Sequence, residues 1–313
     1  MVSGRMFLWT KSQVYDTVSS YGSVYLERCH QHEGRARAVK EIKKSVVSGQ
    51  ELDYARELEA IVKFSNPKHA HCFVRSDSWF ELDDAVFIVM EFLGLGDLQR
   101  YLSRPLPERE ARQILGHVLE GLGYMHDNGF VHRDLKSGNI MVVSGGPDWF
   151  VKISDFGISK RRQQDVTTLQ TLQRGILGFA APEAHGFSRD NSVSTYSFSV
   201  DLWSLGAVAY KMLTNTNPFE SFPSLLLKEC GVFDCGQELI LKLMSPLPAD
   251  RPTAALAARH SWMTMDIKAV VRDLPENGPL VHSDCATTTS VASKAWTLVG
   301  TSTSDPLVGR LQK

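Results

Sequence analysis

Oxygen-bearing side chains near the middle of the chain are its best candidates for chemistry. Asn139 and Asp155 flank two short apolar runs, Ile140–Val143 and Phe150–Ile153, which predict the two strands of a β-hairpin. Such a hairpin would hold the two side chains at its ends. Amide and carboxylate oxygens are hard ligands that suit a divalent cation. Asp134, a few residues earlier, is an acceptor for a hydroxyl proton. The segment therefore predicts a metal site beside a general base.

The sequence around these residues resembles that of a known family. The stretch His132-Arg133-Asp134-Leu135-Lys136-Ser137-Gly138-Asn139, followed by Asp155-Phe156-Gly157, is similar to the catalytic loop and metal-binding motif of eukaryotic protein kinases. The resemblance implies an α+β, two-lobed fold, in which a small lobe of antiparallel sheet and one helix covers a larger, mainly helical lobe. It also implies that ATP and Mg²⁺ bind between the lobes and that the γ-phosphate passes to a protein hydroxyl.

The resemblance assigns a role to each residue of the motif. Asp134 would orient the acceptor hydroxyl, and Lys136 would neutralise charge on the γ-phosphoryl group. Asn139 and Asp155 would hold Mg²⁺. The lysine in Asp-Leu-Lys-Ser-Gly-Asn favours the serine/threonine class over the tyrosine-specific class.

The N-terminal part contains a candidate phosphate-binding lysine. The run Ala36–Val39 predicts a strand that leads into Lys40, which resembles the family's third-strand lysine. Its carboxylate partner would come from a following helix. Glu57 matches that partner, and Glu59 is the second choice.

The helix that carries Glu57 has its own sequence signals. Ser48-Gly49-Gln50-Glu51 has capping-box spacing and predicts the start of the helix. Leu58, Ile61 and Val62 predict its apolar face, and Pro67 predicts its end.

The segment that corresponds to the family's glycine-rich loop departs from the pattern. Gly22 and Val24 match its last glycine and its valine, but Thr17 and Ser19 stand where the first two glycines would be. A Cβ atom restricts positive φ, so we expect weaker binding of the nucleotide phosphates.

Two further strands, Cys72–Val74 and Val86–Met90, are predicted before a glycine-containing linker. By resemblance this linker, residues 91–97, is the hinge that holds the adenine base. The residues assigned to the nucleotide here are Ala38, Met90 (which gates the pocket), Glu91, Leu93, Asp97 and Met141. For Asp97 a second interpretation is a helix N-cap before Leu98.

The C-terminal part has the patterns of packed helices. One apolar stripe predicts a long helix that ends near Gly129, and it consists of Ala111, Ile114, Leu115, Val118, Leu119 and Leu122. A second segment, Val200–Val208, is apolar almost all round except for Asp201, which needs hydrogen bonds to offset burial. By resemblance Asp201 holds the backbone of the catalytic loop, and Arg251 pairs with Glu183.

The segment between Asp155 and Glu183 resembles an activation loop. Thr167, Thr168 and Thr171 are candidate acceptors for an upstream kinase, since Arg133 beside Asp134 is the kind of arginine that a loop phosphate neutralises. Ile176 stands where serine/threonine-type members usually carry a threonine that binds the catalytic residues. We expect this change to lower turnover.

Composition sets the wider limits. The chain has 313 residues, a net charge of −1 and five cysteines without a C-x-x-C pair. These values favour reduced thiols and an intracellular protein, cytoplasmic or nuclear, that needs neither nucleic acid nor a membrane. The motifs predict a kinase domain over residues 10–264, with an N-lobe to about 90 and a C-lobe from 98. A Ser/Thr-rich, flexible tail is predicted over 265–313.

Two other functions remain open at this point. Thr17, Ser19 and Ile176 are compatible with a pseudokinase that acts as a scaffold or an allosteric binding module. A small-molecule kinase is a third interpretation, although such enzymes generally lack the pair of Glu183 and Arg251.

Overall fold

The N-terminal part of the chain is a five-stranded antiparallel sheet with one helix. The computed structural model describes residues 9–19, 22–44, 55–155, 179–185, 198–218 and 223–265. The strand order is β1-β2-β3-β5-β4, so neighbouring strands are joined mostly by short connections. The strands are β1 (Trp9–Ser19), β2 (Gly22–Cys29), β3 (Ala36–Lys43), β4 (Ser76–Glu81) and β5 (Ala85–Glu91).

Helix α1 (Ala55–Phe64) packs one face into the core through Ala60, Ile61 and Phe64, which are at most 5% exposed. Val62 is 70% exposed, so its predicted place on the buried face is wrong. Each residue of a helix is rotated by about 100° around the axis from the one before it. This rotation places Val62 on the solvent side, next to the buried Ile61. The predicted helix start at 48–51 lies outside the described residues.

The fourth strand differs from the prediction. Cys72–Val74 is not a strand of the sheet, and Phe73 instead makes an isolated bridge with Ile153 in the other lobe. The segment is apolar because it is buried at that junction. The strand is Ser76–Glu81, whose residues after Ser76 are all exposed, as expected of an edge strand. The polar residues of this exposed strand weakened its signal in the sequence. Val86–Met90 lies within β5 as predicted.

The larger part of the fold is helical. Helix α2 (Glu108–Asp127) buries all six residues of its predicted stripe, and the chain leaves it through Gly129 at φ +78°. Helix α3 (Ser199–Thr214) is buried nearly all round. The remaining helices are α4 (Pro223–Glu229), α5 (Asp234–Leu243), α6 (Ala254–Ala258) and α7 (Ser261–Thr264). A two-stranded hairpin, β6 (Ile140–Ser144) and β7 (Phe150–Ile153), lies between α2 and α3 in the chain.

The two parts share one continuous apolar core, which runs from Ile42 in β3 through α2 and α3 to Trp262. The predicted fold, a small lobe of sheet and one helix with a larger helical lobe, is confirmed. Among the described residues, no helix combines the length and apolar character that crossing a bilayer requires. The predicted tail, residues 265–313, lies outside the described residues except for Met265.

Candidate active site

The hairpin predicted at the centre of the site is present. Strands β6 and β7 pair antiparallel, with Ile140 opposite Ile153. At the open end the Ser154 backbone N–H donates to the Asn139 carbonyl at 2.9 Å. This bond holds the segment that leads to Asp155 beside Asn139, so the two predicted metal ligands leave the same end of one rigid hairpin.

Asp134 is held by its neighbours through one of its two carboxylate oxygens. Its Oδ2 accepts from Lys136 Nζ at 2.9 Å and from Asn139 Nδ2 at 3.2 Å. Asn139 Nδ2 also donates to the Asp134 carbonyl at 2.7 Å. In the part of the chain that the structure describes, the other carboxylate oxygen, Asp134 Oδ1, accepts neither of the two side-chain hydrogen bonds that Oδ2 accepts. One oxygen therefore fixes the side chain, and the other can accept a proton or a hydrogen bond from a substrate hydroxyl.

Asp201, which is fully buried in α3, binds the backbone of the catalytic loop. Its carboxylate accepts from the backbone N–H groups of His132 and Arg133, both at 2.8 Å. Arg133 has φ +67°, a conformation that non-glycine residues adopt rarely. Two hydrogen bonds to a charged acceptor stabilise that conformation, as the sequence predicted for Asp201.

Sequence reasoning missed one partner of this carboxylate. His126 Nε2 lies 2.9 Å from Asp201 Oδ2, and the histidine ring stacks on Phe198. A histidine in the last turn of α2 is easily taken for a solvent-facing residue at the negative end of the helix dipole. Only the packing of α2 against α3 shows its inward partner.

The small-lobe sheet presents the predicted nucleotide-contacting residues on one face. Val24 pairs with Lys40 across β2 and β3, and Ala38 pairs with Met90 across β3 and β5. Directly opposed residues share a face, as do residues two apart on one strand. Val24, Ala38, Lys40 and Met90 therefore line one surface of the sheet.

Lys40 connects this surface with the hairpin. Its side chain is 10% exposed, and its Nζ lies 2.8 Å from Asp155 Oδ1. Glu57 belongs to α1, but its side chain lies outside what the structure describes, so its pairing with Lys40 stays a prediction. Glu59, the second choice, is exposed.

The electrostatics of Asp155 favour a carboxylate. Burial is the largest single influence and raises its pKa, but the charge of Lys40, the hydrogen bond from Lys40 and the charges of His132 and Lys136 together lower the pKa by more. The net pKa lies below its usual value. Asp155 has φ +58°, a backbone conformation that is uncommon for a non-glycine residue.

The hinge is attached to the hairpin through the backbone. The Gly96 carbonyl accepts from the Val142 N–H at 2.8 Å, and Asp97 forms an isolated bridge with Met141. Gly96 has φ +76°, and a Cβ there would lie 2.8 Å from the Arg100 side chain, so glycine suits this turn. The Gly96 N–H in turn donates to the carbonyl of Leu93 at 3.1 Å. Leu93, Asp97 and Met141 are thus brought to one region.

Asp97 fulfils its second interpretation. It is the N-cap of a short 3₁₀ helix over Leu98–Tyr101, and its Oδ1 accepts from the Arg100 N–H at 3.2 Å. A contact with ribose is compatible with that role and stays a prediction.

Glu91 has a partner that the sequence analysis did not anticipate. Its Oε1 accepts from Lys152 Nζ at 2.6 Å and from the Arg75 N–H at 2.8 Å. Lys152 lies in β7 between the buried Val151 and Ile153 and is itself 9% exposed. A lysine inside a buried strand needs a counter-charge, and that was the available sequence signal. The pair links the hinge with the strand that leads to Asp155.

The predicted pair of Glu183 and Arg251 is present as a bidentate ion pair, with nitrogen–oxygen distances of 2.5 and 2.9 Å. The arginine side chain is fully buried and also donates to the carbonyls of Ser199 and Ser245. It therefore joins the segment after the activation loop to α3 and the chain before α6.

Several predicted features fall outside the described residues. The side chains of Thr17 and Ser19 are not described, although β1 reaches Ser19, which pairs with Gly22 of β2. Ile176 and the candidate phosphoacceptors Thr167, Thr168 and Thr171 also lie outside.

Fold and site together define a class of protein. A sheet lobe and a helical lobe meet where a buried lysine contacts Asp155, and Asn139 at the same hairpin end fixes the carboxylate of Asp134. This is the arrangement of a nucleotide-dependent phosphotransferase. Comparison with known proteins is more specific. The family model for the protein kinase domain matches residues 19–263, so the chain belongs to the protein kinase family.

The relatives are of the serine/threonine type. The chain is 32% identical to the serine/threonine-protein kinase cds1 of Schizosaccharomyces pombe, over 67% of the chain and 47% of that protein. It is 30% identical to the serine/threonine-protein kinase RAD53 of Saccharomyces cerevisiae (85% and 34%). It is 32% identical to the calcium/calmodulin-dependent protein kinase cmkA of Emericella nidulans (72% and 56%). The chain thus spans about a third to just over half of these proteins' lengths.

A solved structure supports the same assignment. Rad53 1-466 in complex with AMP-PNP superposes with a TM-score of 0.64 at 28% sequence identity, covering 82% of this chain and 65% of that one. AMP-PNP is an ATP analogue, so that neighbour holds a nucleotide.

Proposed function

We propose that this chain is a serine/threonine protein kinase that transfers the γ-phosphate of ATP to a protein hydroxyl. The observation that supports this most strongly is the convergence of four residues from distant parts of the chain. Lys40 lies 2.8 Å from Asp155, while Asn139, at the same end of the hairpin as Asp155, donates to Asp134. A chain that had lost catalysis would be under no constraint to retain this complete set.

Each residue has a separate task in the proposed reaction. Lys40 binds the α- and β-phosphates, with Glu57 as its expected helix partner. Asp134 accepts a hydrogen bond from the acceptor hydroxyl through Oδ1 and takes its proton. Lys136, 2.9 Å from Asp134 Oδ2, neutralises charge on the transferred phosphoryl group. Positioning and charge neutralisation supply most of the rate enhancement of phosphoryl transfer, because its transition state is loose.

The donor set at the hairpin end fits Mg²⁺. Asn139 uses its Nδ2 in the hydrogen bonds to Asp134, which leaves its Oδ1 as a ligand, and Asp155 is kept ionised beside Lys40. Both are the hard oxygen donors that Mg²⁺ prefers. When bound, Mg²⁺ would neutralise charge on the nucleotide phosphates. The adenine base would lie along the hinge, against Ala38, Glu91, Leu93 and Met141, with Val24 and Gly22 above the phosphates and Asp97 near the ribose.

Two partners follow from this proposal. The substrate is a protein with an accessible serine or threonine. An upstream kinase would act on Thr167, Thr168 or Thr171, and Arg133 would receive the resulting phosphate.

The scaffold alternative makes a different prediction for phosphate transfer. The chain should be incubated with radiolabelled ATP, Mg²⁺ and generic protein substrates, with Lys40→Met as a variant that loses the phosphate contact. Transfer that falls at least tenfold in the variant supports the enzyme. Nucleotide binding without any transfer by the wild-type chain would favour the scaffold.

The metal assignment predicts a thermal shift. ATP should raise the melting temperature more in Mg²⁺ than in EDTA, because a ligand that binds only the folded state stabilises it by linkage. Asp155→Asn should remove most of this difference, since the amide keeps the shape but loses the charge. Asp148→Asn, at a side chain that is 80% exposed, is the matched control. An unchanged magnesium-dependent shift in Asp155→Asn would rule the assignment out.

The departures at Thr17, Ser19 and Ile176 predict separable kinetic effects. Gly at positions 17 and 19 should lower KM for ATP, because the phosphate cradle forms before transfer begins. Ile176→Thr should raise kcat, because it restores a bond on the acceptor side. A hydrogen bond to a charged group contributes about 1.5–3 kcal/mol, so we expect gains of roughly ten- to hundredfold. Steady-state kinetics at varied ATP would separate the change in KM from the change in kcat. A gain only in kcat from Gly at positions 17 and 19, or a gain only in KM from Ile176→Thr, would contradict the assignment.

A further inference from the structure

A group of metal-ligating side chains outside the active site has no role in the proposed reaction. His71 and Cys72 lie in the segment between α1 and β4, and Glu120 lies on α2. One ligand atom from each, His71 nitrogen, Cys72 Sγ and a Glu120 carboxylate oxygen, fall within 4.8 Å of one another. His71 Nε2 is already 2.9 Å from Glu120 Oε1.

We propose that His71, Cys72 and Glu120 form a binding site for Zn²⁺ or a similar transition-metal ion. Imidazole nitrogen, thiolate sulfur and carboxylate oxygen are the three ligand types that zinc uses in proteins. In a tetrahedral zinc site, ligand atoms lie roughly 3.3–3.8 Å apart, given bond lengths of about 2.0–2.3 Å. The His71–Glu120 contact at 2.9 Å would open slightly, and the wider separations, which are at most 4.8 Å, would close by about 1 Å or less. Three protein ligands leave a fourth position for water.

The backbone around Cys72 is already fixed for this purpose. The Cys72 N–H donates to the His69 carbonyl at 2.9 Å, and the Cys72 carbonyl accepts from the Ile153 N–H at 2.8 Å. Gly121, next to Glu120, lets α2 approach closely, because a Cβ there would lie 3.5 Å from the Cys72 Cβ and 2.7 Å from Ile153 Cδ1. The thiol is thus held against the helix that carries the carboxylate.

Neighbouring groups support a ligand role for the cluster. Tyr124 Oη lies 3.5 Å from Glu120 Oε1 and orients the carboxylate from the next turn of α2. His117, one turn before Glu120 on the same helix face, has a buried Nδ1 without a hydrogen-bond partner among the described residues. His117 is not one of the three clustered ligands, but it offers a second imidazole on the helix that carries Glu120.

The thiol proton has a defined fate in this proposal. Burial, and secondarily the charge of Glu120, raise the pKa of Cys72 to about 12, so the free protein carries a neutral thiol. On binding, the Sγ–H bond breaks, the proton passes to solvent and the sulfur bonds the metal, as in other thiolate sites. His71 contributes the lone pair of a neutral ring, and no redox change occurs.

The experiment uses the full chain and two readouts. Co²⁺ serves as a spectroscopic probe, and a cysteine ligand should give a sulfur-to-cobalt charge-transfer absorption that Zn²⁺ removes by competition. Stoichiometric Zn²⁺ should also raise the melting temperature relative to EDTA. Cys72→Ser should abolish the absorption. His71→Gln and Glu120→Gln should weaken Zn²⁺ binding by more than the ten- to hundredfold that loss of an outer-sphere partner costs.

Matched variants keep the test decisive. Cys230 is an exposed thiol next to Glu229, so Cys230→Ser should retain the full signal. Glu238 stands 3.8 Å from His260, and within the described ranges no cysteine joins them in a metal-ligating group, so Glu238→Gln should also behave as wild type. His71 is 45% exposed, so His71→Gln should remain folded even if Cys72→Ser does not. No cobalt–thiolate absorption in the wild-type chain, or an equal zinc shift in His71→Gln, would overturn the proposal.

The zinc site is independent of the kinase assignment. Asp155→Asn should lose the magnesium-dependent ATP shift yet keep the zinc shift, so failure of either proposal is visible separately.

Discussion

Asp134→Asn should lower kcat by about a hundred- to ten-thousandfold, the usual contribution of a positioned general base. The amide keeps the size and one acceptor oxygen, so Lys136 and Asn139 retain a partner at the position of Oδ2, but it cannot take the hydroxyl proton. KM for ATP should change little, because the nucleotide contacts assigned to Lys40 and Asp155 remain. Steady-state kinetics with varied ATP and varied protein substrate measure both parameters.

The control for this variant is Asp148→Asn, which changes an exposed carboxylate on the same hairpin. It should match the wild type. If Asp134→Asn retained kcat within about threefold, Asp134 would not be the base.

Among the substitutions proposed for the active site, Asp201→Asn should lower the free energy of unfolding most. The buried carboxylate accepts from His132 N–H and Arg133 N–H through different oxygens, and an amide offers only one. In either orientation its NH₂ group faces a backbone N–H, so a buried donor loses its acceptor and two donors oppose each other. Breaking a buried charged network typically costs about 3–5 kcal/mol. For a domain of this size each kcal/mol lowers the melting temperature by about 2–4 °C.

Thermal unfolding followed by circular dichroism measures this effect. Asp127→Asn is the matched control, since Asp127 is exposed in the last turn of α2, one residue after His126. Kinase activity should also fall in Asp201→Asn, because Arg133 in its left-handed conformation sets the position of Asp134. Melting temperatures within about a degree for the two variants would contradict the role given to Asp201.

Local patterns with a single physical cause were predictable from the sequence. The stripe on α2 follows from burial of one helix face, and the β6–β7 hairpin follows from two apolar runs with turn residues between them. The pairing of Arg251 with Glu183 and the hydrogen bonds of Asp201 to the catalytic loop came from the family resemblance. All of these are present in the structure.

Features that depend on the meeting of distant segments were not predictable in the same way. The apolar run Cys72–Val74 is buried because it contacts β7, and strand patterns cannot show which sheet or lobe covers a run. The ion pair of Glu91 with Lys152 joins residues 61 positions apart, and the contact of Lys40 with Asp155 spans 115. Neither residue of such a pair reveals its partner in sequence, since a lone charge is usually solvated.

Mass spectrometry of a mixture of generic basic and acidic proteins, incubated with the chain, ATP and Mg²⁺, tests the central claim most directly. A serine/threonine kinase should produce phosphoserine or phosphothreonine on these proteins, at a rate at least about a hundredfold above that of Asp134→Asn. A wild-type chain that shows the magnesium-dependent ATP shift but forms no phosphorylated residue above the Asp134→Asn level would contradict the claim and favour a nucleotide-binding scaffold.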